Sequence, residues 1–97
     1  MEYISVIWKH SHRDEPVRLV SELDEERFEI RKLEFFPDGS VGFASMEGES
    51  AGTRLGEVTV PPLAEINEDP EFESVAITKN EFDQLWQEHG ATTSFRR

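Results

Sequence analysis

The sequence has no cysteine, so neither a disulfide framework nor a thiolate ligand or nucleophile is available to it. Basic residues are scarce as well. Ten Lys and Arg face 21 Asp and Glu in 97 residues, a formal net charge of −11. That balance argues against nucleic acid as a partner, because phosphate contacts need a basic footprint. It argues equally against an anionic membrane surface. No apolar run approaches the roughly 20 residues that span a bilayer. Met1 to Lys9 alternate without an uninterrupted apolar stretch, so no signal peptide is expected and the cytoplasm is the expected compartment. A chain this short is expected to form one α+β domain over residues 1–90 with a polar tail at 91–97. It can bury about 65% of its unfolded surface. Hydrophobic content is 36% with seven Phe, which is low but enough for a core.

What is present begins with period-2 alternation. Ile4, Val6 and Trp8 predict a first strand, and Val17, Leu19 and Val20 a second that runs out in the acidic turn Glu22–Glu26. The polar segment His10–Pro16 between them predicts a loop. From Arg27 to Phe36, Phe28 and Ile30 share one parity while Leu33 and Phe35 take the other. A straight strand cannot bury both pairs. A β-bulge near Arg31 and Lys32 would restore the phase, and strand is preferred to a short helix from Leu23 because Phe and Ile suit a pleated surface. Pro37-Asp38-Gly39-Ser40 predicts a hairpin turn into a strand at Val41–Ser45. Glu47–Gly52 reads as a loop, and Leu55–Val60 as a fifth, edge strand ended by Pro61-Pro62.

Beyond Pro62 the period changes. Leu63–Asn67 reads as one or two helical turns, and Glu71–Ile77 as extended chain with Phe72, Val75 and Ile77 toward the core. Thr78 with Glu81 forms a capping box for the last helix. Phe82, Leu85, Trp86 and His89 then make one apolar stripe at i, i+3, i+4 and i+7, and Gly90 supplies the stop. The expected architecture is α+β: an antiparallel meander of four to five strands packed on one face by the C-terminal helix, with Trp86 as the main plug.

Catalytic signatures are sparse. The serines sit in no G-x-S-x-G elbow, and Gly48, Gly52 and Gly56 lead into neither a Walker lysine nor a dinucleotide fingerprint. No cofactor is implied. His10-x-His12, followed by Asp14 and Glu15, is the one cluster with metal-like spacing, but a surface loop is the plainer reading. His89 at the helix end reads as a dipole partner rather than an acid–base group. The mixed-charge stretch Arg27–Glu34 reads as cross-strand ion pairing, with a recognition face using Arg27 and Arg31 as the alternative.

Charge asymmetry is the sharpest feature. No basic residue lies between Arg54 and Lys79, while Glu65, Glu68, Asp69, Glu71 and Glu73 cluster there beside Leu63 and Phe72. A solvated acidic loop would aid solubility alone. A partner-binding edge built from Glu65, Glu68, Asp69, Glu71, Phe72 and Glu73 would instead steer a basic protein, with Phe72 as an apolar anchor.

Four strings occur together: Met1-x-Tyr3-Ile4-x-Val6-x-Trp8, Ser21-Glu22-Leu23-Asp24 running on to Arg31-Lys32, Gly52-Thr53-Arg54-Leu55-Gly56, and Pro70-Glu71-Phe72-Glu73. With them the chain resembles a family of small, uncharacterised bacterial domains over most of residues 1–89, a resemblance that implies no site residues. The expected function is a small acidic protein-binding module, most concretely an immunity-type inhibitor of a basic toxin. A small carboxylate- or His-dependent enzyme, or a homodimer formed through an edge strand, are the alternatives.

Overall fold

Alternation in the first twenty residues produces the expected pair of strands, and their register shows which side chains share a face. A computed structural model describes residues 1–50 and 52–89. Strand β1 (Glu2–Trp8) pairs antiparallel with β2 (Arg18–Leu23), Ile4 opposite Ser21 and Val6 opposite Leu19. Strand β3 (Glu29–Phe35) pairs with β2 and with β4 (Val41–Ser45). The hairpin turn forms as its residues dictate. Gly39 takes φ +91°, and the Ser40 N–H and hydroxyl both donate to the Asp38 carboxylate, which holds its pKa below the ordinary value.

The sheet has six strands, not four to five, in the order β5-β4-β3-β2-β1-β6. The predicted 47–52 loop contains the short β5 (Gly48–Glu49). The extended segment after residue 71 is β6 (Phe72–Ala76), which adds beside β1. The arrangement is therefore not a simple meander. After β5 the chain passes over the sheet through residues 53–71, including the short helix α1 (Leu63–Ile66), before returning as β6.

Leu55–Val60 is not a strand. Glu29 of β3 and Arg27 in the turn before it take its backbone groups instead of a ladder: the Gly56 N–H donates to the Glu29 carboxylate, the Val60 N–H donates to the Arg27 carbonyl, and the Val60 and Pro61 carbonyls accept from the Arg27 guanidinium. The edges are β5 and β6, and the exposed Val75 lies on the latter.

The bulge exists but lies earlier than expected. Glu22 pairs with Arg31 and Leu23 with Glu29, so Ile30 is the extra residue rather than Arg31 or Lys32. Phe28 falls outside the strand and is exposed. The turn before it is held by Asp24, whose carboxylate accepts from the Glu26 and Phe28 N–H groups. Arg27 adopts φ 73° there, an uncommon conformation for a side-chain-bearing residue.

Helix α2 (Lys79–His89) starts on the predicted capping box: the Thr78 N–H donates to the Glu81 carboxylate and the Glu81 N–H donates to the Thr78 hydroxyl. Its stripe seals one face of the sheet, burying Tyr3, Val20, Leu33, Phe82 and Trp86 together. His89 meets the Phe35 ring edge-on at 5.2 Å between centroids. Gly90 and the 91–97 tail lie outside the described residues. The sequence reading named α2 alone as cover, and the structure adds a second. Ile4, Val6 and Leu23 are buried on the opposite face beneath Val60, Leu63, Ile66 and Phe72.

Candidate functional site

That opposite face carries an unusual mixture. The period of 2 places Ile4 and Val6 of β1 beside Leu19 and Ser21 of β2, then Lys32 and Glu34 of β3. The bulge turns Glu29 to the same side, where its carboxylate reaches Lys32 Nζ at 3.1 Å. Glu34 lies 3.6 Å from the same ammonium and also accepts from the Thr53 hydroxyl at 3.0 Å. The three charged side chains are only 10–13% exposed. Thr53 roofs them because Gly42 lets the chain come close; a Cβ there would lie 2.0 Å from Thr53 Oγ1.

Between the sheet and its cover lies a cavity of about 370 Å³. Ile4, Val6, Leu19, Ile66 and Phe72 make its walls largely apolar, while Ser21 and Glu29 contribute polar groups. Glu65 and Asp69 complete the lining at the exposed side. Of the predicted partner-binding residues, Glu65, Asp69 and Phe72 line this cavity, whereas Glu68, Glu71 and Glu73 do not.

Their individual positions differ. Glu65, Glu68, Asp69, Glu71 and Glu73 are all exposed. Asp69 caps the turn before β6 by accepting from the Glu71 N–H at 2.9 Å. Glu71 accepts from the Trp8 indole at 3.0 Å, and Glu73 pairs with Lys9 at 3.1 Å. Phe72 is half-buried, stacked on Trp8 with centroids 5.8 Å apart. Asn67 ties α1 to β6 by bonding both the N–H and the carbonyl of Ser74.

The other sequence candidates have structural partners. His10 accepts from the His12 N–H through Nδ1 and lies 2.7 Å from the Pro16 carbonyl through Nε2. A protonated Nε2 and an unprotonated Nδ1 satisfy both contacts, so the loop itself occupies the ring's two coordinating positions. Asp14 and Glu15 do not join it, and no group of three or more metal-ligating side chains occurs among the described residues. Arg27 is taken up by Glu2 and the carbonyls of Val60 and Pro61. Arg31 bonds Glu22 at 2.6 Å and Asp83 at 3.3 Å, with its guanidinium over the rings of Phe82 and Trp86. Burial works against its charge, and those two carboxylates more than offset this, so its pKa lies above the ordinary value. Lys79 chiefly, with Arg31, holds Asp83 below the usual carboxylate range. These arginines serve the fold.

Sequence reading missed Ser21, Glu29 and the apolar walls. One signal pointed their way: Ser21 interrupts the apolar alternation between Leu19 and Leu23, at a position where the pattern requires an inward side chain.

Together these features define a small α+β domain whose antiparallel sheet is sealed by a helix on one face and holds a carboxylate-rimmed apolar cavity on the other. The chain belongs to the family described as Domain of unknown function (DUF6881), which it matches over residues 2–91. No curated protein and no solved structure matches it.

Proposed function

We propose that the protein is a binding module that takes a basic protein partner on its acidic edge, in the manner of an immunity-type inhibitor masking a basic toxin. One observation carries this reading. Of the five exposed carboxylates at residues 65, 68, 69, 71 and 73, only Glu73 has a basic partner among the described residues. The other four are exposed without a cationic partner there, within seven residues of chain. Such a patch raises the rate of encounter with a cationic surface, and the effect weakens once salt shortens the Debye length below about 10 Å. Phe72 and the cavity behind it supply apolar area inside the charged rim, the arrangement that turns steering into retention.

The test uses Glu65 and Glu68, whose side chains make no hydrogen bond or ion pair among the described residues. The immobilised protein is exposed to source lysate at low and high salt, and retained proteins are identified. A basic protein held at low salt, released at high salt and lost by Glu65→Lys/Glu68→Lys is the expected result. Retention unchanged by the double reversal overturns the reading.

A further inference from the structure

We infer that the cavity beneath α1 is a subsite for an alkylammonium or alkylguanidinium group, occupied by a Lys or Arg side chain of the basic partner. The source of that cation rests on the function proposed above; the chemistry of the subsite rests on three separate observations.

The first is a charge imbalance. Glu29 and Glu34 share the single ammonium of Lys32, and all three side chains are nearly buried. The Thr53 hydroxyl and the Gly56 N–H add hydrogen bonds but no charge. One carboxylate therefore lacks a counter-charge in a low-dielectric setting, where an unmatched ion is costly. A cation entering the cavity supplies it. The second is the direction of the free valences. Both the Lys32 and the Gly56 contacts of Glu29 end on Oε1, so Oε2 has no hydrogen-bond partner among the described residues, and Glu29 lines the cavity. The third is Ser21. It is 4% exposed, lines the same cavity and makes no side-chain hydrogen bond among the described residues. Every fully buried side-chain polar atom there has a partner, so the Ser21 hydroxyl opens onto the cavity itself.

The shape agrees with the chemistry. At about 370 Å³ the space is at the small end of ligand pockets, with room for one long side chain. Ile4, Val6, Leu19, Ile66 and Phe72 offer apolar surface for an aliphatic stem, and Ser21 and Glu29 offer polar acceptors beside it. A Lys or Arg side chain has that division between apolar stem and charged tip. Glu65 and Asp69 at the rim favour a cation on the way in, and an anion is repelled throughout.

The experiment is a titration of the ¹⁵N-labelled protein with Nα-acetyl-arginine amide and Nα-acetyl-lysine amide, with Nα-acetyl-norleucine amide as the uncharged control. Saturable shifts at the amides of Val6, Ser21 and Glu29 with the two cations, and none with norleucine, are expected. Glu29→Gln keeps an acceptor for Gly56 and removes the charge, and should weaken the arginine derivative about tenfold, the loss of one charge-assisted hydrogen bond. Absent shifts, or equal shifts with norleucine, overturn the subsite; this wild-type comparison decides even if Glu29→Gln does not fold. The source is decided by partner capture. Folded Glu29→Gln losing the partner supports a partner side chain, whereas full retention overturns it. Glu65 also lines the cavity, so the edge is separated from the subsite by Glu68→Lys alone, at a residue outside the lining, and with that variant the two readings fail independently.

Discussion

The two faces of the sheet solve the same packing problem with different materials. Under α2, aromatic rings fill the space: Phe82 is fully buried, Tyr3 lies 5.5 Å from it, and Phe43 meets Trp86 edge-on. The charges on that side are matched, with Arg31 and Lys79 answering Glu22 and Asp83. Under the 53–71 segment the cover is half-buried, a cavity remains, and one ammonium answers two carboxylates. A face whose centre is filled by buried rings and whose inner charges are matched holds the fold together. A face that is loosely covered and carries excess negative charge has free energy to gain from a partner. The comparison places the aromatic core on one side and the unmatched charge on the other.

The largest effect that would sharpen this contrast is Phe82→Ala. Removal of a fully buried ring should cost about 4 kcal/mol in urea unfolding, whereas Leu63→Ala in the half-buried cover should cost less than about 2 kcal/mol. Equal losses would break the division of labour. Next comes Lys32→Met, which leaves Glu29 and Glu34 facing each other without a cation. We expect a loss of about 3 kcal/mol at neutral pH, largely recovered when Glu29→Gln and Glu34→Gln are added. A near-neutral Lys32→Met would show that the cluster tolerates the missing charge and that its imbalance is of no consequence.

The smallest expected effect is on the packed face. Burial, then the Glu22 carboxylate that accepts its hydroxyl at 3.0 Å, raises the pKa of Tyr3 above the ordinary value. Since the unfolded chain ionises first, this contribution is complete below pH about 10 and declines as pH rises toward the folded-state value. Tyr3 is the one tyrosine, so absorbance near 295 nm follows it alone. Its titration midpoint should lie above that of the urea-unfolded chain. Tyr3→Phe should cost about 1 kcal/mol and flatten this part of the alkaline limb.

Elements governed by near neighbours were legible. The Asp38-Gly39 turn, the Thr78–Glu81 box and the Phe82/Trp86 stripe each depend on residues within one or two turns of chain, and each forms where expected. The acidic edge was legible for the same reason, being a contiguous run. Leu55–Val60 was misread because its alternation competes with side-chain acceptors and donors, Glu29 and Arg27, that lie roughly thirty residues away. The bulge was placed late because parity locates a phase break only between the residues that disagree, and strand pairing then chooses Ile30.

By itself, then, the sequence determined the class of fold, the helix and its buried stripe, and the sign and position of the surface charge. All of these follow from local geometry and composition. Only the tertiary structure decided that a second face is covered, that β6 lies against β1, and that Glu29, paired with Lys32, lines a cavity beside the acidic edge. Those outcomes depend on which distant segments compete for the same backbone groups and the same apolar surface, and that competition is resolved only when the chain closes on itself.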